Sequence, residues 1–287
     1  MSYQPRPSPL HAARAAAGAA YCASLALAAL IVSSPLVLGA VTVAIIAAGA
    51  AAGVRRAIWR AARWAAILAL AVVVINALVT RDGLTVILRF GQLPVLGHTD
   101  VTLEATAYGA VLGLRAAALI LCGALYTAAV DPDEVLRLFR RVSFHSALTA
   151  TLATRLVPLL VRDSRRLADA QRCRPGSPPS RYSLLRAATA GALDRALDVA
   201  AALEVRGYGA ARRPPAYRRP WSRHDFAFSL AAVVIGTVAV AARALGWASL
   251  SAYPALHAPA GGPEVAVALV LLACALAPFA DRRGVEA

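Results

Sequence analysis

The sequence predicts an all-α polytopic membrane protein, with about six transmembrane helices and two long helices on the cytoplasmic side. Three observations carry this. First, 59% of the 287 residues are hydrophobic, only 16% are charged, and mean hydropathy is +0.62; soluble domains carry roughly 45–50% apolar and about 25% charged residues. Second, apolar runs of bilayer length recur along the chain. Third, the basic residues fall in alternate connectors rather than evenly.

Residues 1–16 form a cytoplasmic N-terminal tail containing Arg6 and Arg14. A span requires about 20 apolar residues. The uncharged stretch Ala15–Val54 is interrupted only by Ser33-Ser34-Pro35, so it reads as two helices, near 17–33 and 36–54, joined by a tight turn. It is far too long for a signal-peptide core. Further spans are expected at 61–79, 105–130, 226–242 and 265–280. Residues 17–130 therefore hold transmembrane helices 1–4, residues 131–224 a cytoplasmic segment, and 225–287 helices 5–6 with a short tail.

Arginine placement sets orientation, because basic residues are retained in the cytoplasm. Arg55, Arg56, Arg60 and Arg63 follow span two, and Arg282 and Arg283 follow span six. The connector of about 95 residues between spans four and five carries 18 of the 30 arginines. The opposite connectors hold only Arg81, Arg89 and Arg243. With six spans, all the rich segments share one side, and both termini face the cytoplasm of a cell (plasma or inner) membrane.

Every basic residue other than the five histidines is Arg; there is no Lys. A phosphate-binding P-loop needs GxxxxGK[ST], so any ATP used must be bound by another chain, and a lysine Schiff base is excluded. Cys22, Cys122, Cys173 and Cys274 make no CxxC pair and read as unpaired packing residues. The five histidines are dispersed, so no metal site is expected. No serine sits in a nucleophile motif. The arginines follow membrane sidedness and are mixed with eight acidic residues in 131–224, which argues against nucleic acid as a partner. Arg115, inside the fourth span, is costly there and marks an intramembrane polar site, with Asn76 of the third span as its expected partner.

The cytoplasmic segment is patterned rather than random. Asp131-Pro132-Asp133-Glu134 is a helix start, with Asp as cap, Pro in the first helical position and acids in the first turn. A short amphipathic helix should follow along the membrane face. From about 144 to 174, leucines at 148, 152, 156, 159, 160 and 167 alternate with arginines, with a kink expected at Pro158. Pro175 and the Gly-Ser-Pro-Pro run after it stop that helix, leaving Arg174 at its tip. A second helix runs from about Ser183 to Val205 with an Ala/Leu stripe, and Gly207 is placed as its C-terminal cap, leaving Arg206 at the tip. Either arginine alone could simply complement a helix dipole. Two helices ending alike, 32 residues apart, favour docking of a partner.

These residues resemble the transmembrane component of energy-coupling factor transporters, the EcfT/CbiQ family. Leu-Asp-Arg-Ala-Leu-Asp at 193–198 and Ala-Leu-Glu-Val-Arg-Gly-Tyr-Gly at 202–209 look like that family's second motif. Ala-Asp-Ala-Gln-Arg-Cys-Arg-Pro at 168–175 is similar to its first, Ala-Gln-x-x-Arg-Gly. Leu-Gly-Leu-Arg at 112–115, Asp-Pro-Asp-Glu-Val-Leu at 131–136 and Asn-Ala-Leu-Val-Thr-Arg-Asp-Gly at 76–83 also match, and the resemblance covers roughly 35–240. Pro175 departs from the pattern, standing where the family has Gly.

The resemblance implies a non-catalytic scaffold of a vitamin or transition-metal importer. Its partners would be two ABC-type ATPases, identical or different, which carry ATP and Mg, and a small membrane substrate-capture (S) subunit. No cofactor is implied in this chain. Arg174 and Arg206 match the docking arginines of the two coupling helices, flanked by Cys173, Pro175, Val205 and Gly207. Leu185, Ala188, Ala192, Leu193, Ala196 and Ala200 would form the surface for the capture subunit, small residues allowing close, adjustable packing. Two other readings stay open. One is a membrane enzyme using Asp131, Asp133 and Glu134 on a phospholipid-type substrate at the inner face. The other is a conventional ABC permease half.

Overall fold

Short polar side chains set the helix starts, as their capping chemistry requires. In the computed structural model, which describes residues 6–79, 86–93, 97–139, 144–173, 181–207, 220–247 and 261–281, Ser8 caps α1 (Pro9–Ala12). After α2 (Ala15–Ile31), Ser34 accepts from Val37 N–H and Pro35 opens α3 (Pro35–Ala51). Then follow α4 (Arg55–Val79), strands β1 (Val86–Leu93) and β2 (Gly97–Thr102), and α5 (Leu103–Ala129), capped by Thr102. α6 (Pro132–Phe139), α7 (Phe144–Arg172) and α8 (Arg181–Val205) come next. α9 (Arg223–Ala244) begins with a reciprocal Ser222/Asp225 capping box, and α10 (Gly262–Leu276) ends in a short 3₁₀ turn, Ala277–Phe279.

All six expected spans are helices. α4, α5, α9 and α10 with its 3₁₀ extension are long and apolar enough to cross a bilayer, while α2 and α3 are apolar helices of 17 residues each. The hairpin is an addition. The sequence predicts a plain connector over 80–104, but β1 pairs antiparallel with β2, Val86 opposite Thr102 and Leu93 opposite Gly97. The β-branched residues of the two strands suit that pairing.

The chain divides into two units, Met1–Val135 with Trp221–Ala287, and Leu136–Pro220. In the first, the core is Tyr21, Leu25, Leu38, Ile45, Leu125, Phe228, Ile235 and Leu271. The rings of Tyr21, Phe228 and Phe279 meet edge to face at centroid separations of 5.2–6.3 Å, and the Tyr21 hydroxyl donates to Ala275 O at 2.8 Å. That bond supplies the partner a buried phenol needs.

α4 and α5 pack through a small-residue contact. A Cβ at Gly113 would lie 2.8 Å from Ala69 O, and one at Gly109 2.9 Å from Asn76 Cβ. Gly109 and Gly113 are the G-x-x-x-G spacing that brings membrane helices together. The outer face of α4 leaves Trp59, Trp64, Ile67, Leu70 and Ile75 more than half exposed, a surface that lipid or a protein partner must cover. Trp221 and Trp247 flank α9 at its two ends. At 1.5 Å per residue that helix is about 33 Å long, so these tryptophans stand where interfacial aromatic belts form.

The second unit holds α7 and α8 together with the end of α6. α7 continues as helix on both sides of Pro158.

Candidate functional site

The tip of α8 is built by glycine. Gly207 has φ +76°, a left-handed conformation that a side chain resists. Its N–H donates to Glu204 O at 2.9 Å and that of Arg206 to Ala202 O at 3.2 Å. Gly207, just after Arg206, therefore ends the helix. Arg206 is exposed, and Val205 is 90% exposed, an apolar side chain held out beside a guanidinium.

At the end of α7, Cys173 is exposed and its N–H donates to Asp169 O at 3.3 Å. Arg172 pairs with Asp169 at 3.5 Å, both largely exposed, so the pair contributes little. Arg174 and Pro175, the predicted tip of this helix, lie outside the described residues.

The two helices are joined by an ion pair between Arg195 Nη2 and Asp163 Oδ2, 2.7 Å apart and about one-third exposed. Beside it a groove of about 750 Å³ is walled by Val157, Leu160 and Leu167 of α7 and by Ala188 and Ala192 of α8. The six residues expected to form one capture-subunit surface thus divide between two faces. Ala188 and Ala192 are half-buried toward α7. Leu185 (63% exposed), Leu193 (66%), Ala196 and Ala200 face outward. Leu197, which belongs to the same Ala/Leu stripe, is as exposed as Leu193, and so is Tyr182, which falls just before the helix start expected at about Ser183 but lies within α8.

In the first unit, Arg115 does not bond to Asn76. Asn76 Nδ2 donates to Val72 O within its own helix. Arg115 Nε donates to Ala29 O at 3.2 Å, and Nη2 to Val32 O at 2.9 Å and to Ser33 Oγ at 3.4 Å. It caps the carbonyl end of α2, where a cation is favoured. The expectation failed because helix rotation turns Asn76 along α4 and the α2–α3 turn reaches the depth of Arg115. Ser34, next in that turn, donates to buried Glu264 of α10.

The acidic cluster is engaged in capping. Asp131 Oδ1 accepts from Asp133 N–H at 2.9 Å, and Glu134 Oε2 from Ala15 N–H at 3.1 Å, the start of α2. One residue earlier, Arg14 is held by Asp225, which is fully buried: its N–H donates at 2.7 Å and its Nε lies 3.3 Å away. The Arg14 guanidinium also stands 5.2 Å from the Trp221 ring. Among the described residues, no three His, Cys, Asp or Glu side chains group as a metal site.

Apolar spans, interfacial tryptophans and a charged two-helix unit between spans define an α-helical polytopic membrane protein. The family model for cobalt transport proteins, CbiQ, matches residues 7–216, and the chain belongs to that family. The matched region takes in α1 to α8 and ends before α9. No curated protein matches the chain. Family membership makes it a component of a membrane transport system.

Proposed function

We propose that this chain is the transmembrane scaffold of an energy-coupling-factor-type importer, passing the work of partner ATPases to a separate substrate-capture subunit. The observation that carries the reading is the α8 tip: an exposed arginine beside an exposed valine, set by a left-handed glycine, within a family-matched segment. A rigid cation-plus-apolar tip suits a groove on a soluble protein, since arginine anchors interfaces well. Arg174, which lies outside the described residues, is the arginine expected to match it after α7. One docking arginine after each long helix would suit two ATPases, which would hold ATP and Mg, leaving this chain non-catalytic.

The outward face of α8, with Leu185, Leu193, Ala196 and Ala200, offers an apolar surface for the capture subunit. Closing of the ATPases would shift the tips, and the helices act as levers on that subunit. The protein then sits in the cell (inner) membrane with both ends cytoplasmic. The cargo class is a transition-metal ion or a vitamin. The lipid-enzyme reading has less support, because carboxylates of Asp131 and Glu134 are already taken by backbone N–H groups.

The test is a tagged pull-down from native membranes in mild detergent. Wild type should recover ATPases and a small membrane protein, and Arg206→Ala or Arg174→Ala should reduce ATPase recovery. Wild type recovered without any ATPase would reject the scaffold role.

A further inference from the structure

At the end of the bundle where α2 and α9 finish, two arginines share one cavity. It encloses about 570 Å³ and is walled by Leu30, Ile31 and Ser33 of the α2 end, Arg115 of α5, and Val240 and Arg243 of α9. Arg115 is half-buried and held rigidly through Nε and Nη2 by carbonyl and hydroxyl oxygens. Those bonds leave Nη1 available, and none of them neutralises its charge. Among the described residues no carboxylate pairs with either Arg115 or Arg243. Two guanidiniums on one cavity without an acid between them is an arrangement that calls for an anion.

The walls narrow the kind of anion. Leu30 is 54% and Val240 51% exposed, so the cavity opens on apolar side chains that face the membrane. Its depth is fixed independently. The chain leaves α9 through Gly246 (φ +73°) and Trp247, whose N–H returns to Ala242 O at 3.0 Å, so an indole stands one turn beyond Arg243. Tryptophan at a helix end marks the headgroup layer. Arg115 lies about 18 Å along α5 from its start, yet its bonds to Val32 and Ser33 bring it to this same level.

We propose that Arg115 and Arg243 bind the phosphate of an anionic phospholipid, its acyl chains lying along Leu30 and Val240. This site needs only that the spans are membrane-embedded, and it stands apart from the coupling role. Arg115 positions one guanidinium permanently, and Arg243, exposed on the last turn of α9, closes on the phosphate from the other side. A bound lipid would then tie α9 to the α2–α3 turn.

The experiment is native mass spectrometry of the purified full chain in detergent, titrated separately with dioleoylphosphatidylglycerol, dioleoylphosphatidylcholine and inorganic phosphate. Wild type should retain one phosphatidylglycerol, several-fold more tightly than phosphatidylcholine, and should not bind phosphate at equal concentration. Arg243→Ala should weaken phosphatidylglycerol about tenfold, and Arg243→Lys should recover part of the loss. Arg243 is exposed, so these variants keep the fold, which thermal unfolding checks. Equal phosphatidylglycerol binding by wild type and Arg243→Ala would overturn the site, leaving annular lipid only. Phosphate binding as tight as the lipid would overturn the lipid assignment in favour of a free anion.

Discussion

Asp163 of α7 and Arg195 of α8 lie 2.7 Å apart and form the charged contact between two helices whose other surfaces are largely open. Beside it, Ala188 and Ala192 of α8 and Val157, Leu160 and Leu167 of α7 wall a groove. A pair of helices with an open groove beside their ion pair has room for a change of angle between them.

The pair is partly solvated, so its worth is modest. Asp163→Asn and Arg195→Gln should each lower stability by about 0.5–1 kcal/mol, and Asp163→Arg with Arg195→Asp together should recover part of the loss. A double-mutant cycle on thermal unfolding in detergent measures this. Strict additivity would show that the two charges do not interact.

Asp225 is a different case, because it is fully buried and serves Arg14, Ser222 and the α9 start at once. Asp225→Ala leaves donors and a cation without their acceptor and should cost about 3 kcal/mol or more. The unfolding temperature of the purified protein should fall accordingly, with Asp225→Asn intermediate.

Gly113 has no room for a side chain, since Ala69 O would sit 2.8 Å from its Cβ, whereas Gly123 has open space around it. Gly113→Ala should separate α4 from α5 at a cost of about 1–3 kcal/mol, while Gly123→Ala should be neutral. Comparing folded yield by size-exclusion chromatography distinguishes the two.

Gly207→Ala tests the α8 tip. Its left-handed φ should cost about 1 kcal/mol with any other residue, loosening Arg206 without removing it. Under the scaffold reading, ATPase recovery should drop less than with Arg206→Ala; a full-strength complex would show that tip geometry does not matter.

His11 gives a pH dependence outside the spans. Burial, with a smaller contribution from nearby Arg6, pushes its pKa below the ordinary 6.5, against a hydrogen bond with Ala128 that raises it. The neutral ring is therefore favoured in the folded state. Its contribution to stability is complete above pH 6.5 and is lost as pH falls from there through the lowered folded value. Unfolding temperature should decline on acidification through that window, and His11→Gln should flatten the decline.

The spans and the second helix tip were legible in the chain because their signals are local. Twenty apolar residues, a Ser-Pro helix start or a glycine after a helix identifies itself without reference to distant residues. The two-stranded pairing of Val86–Leu93 with Gly97–Thr102 was missed, since its alternation is weak and short. The G-x-x-x-G at Gly109 and Gly113 was readable as a motif, but its partner was not.

What the sequence determined by itself is the membrane class, the number of apolar helices, the family motifs, and the glycine that ends α8. Only the tertiary structure decided that Arg115 caps α2 instead of meeting Asn76, that Asp163 meets Arg195, and that Ala188 and Ala192 turn toward α7 while Leu193 turns out. The reason is rotational. Helices such as α2, α3 and α10 are apolar nearly all round, so hydropathy states that they are embedded but not which face meets which neighbour. That choice is made by steric fit between helices distant in the chain.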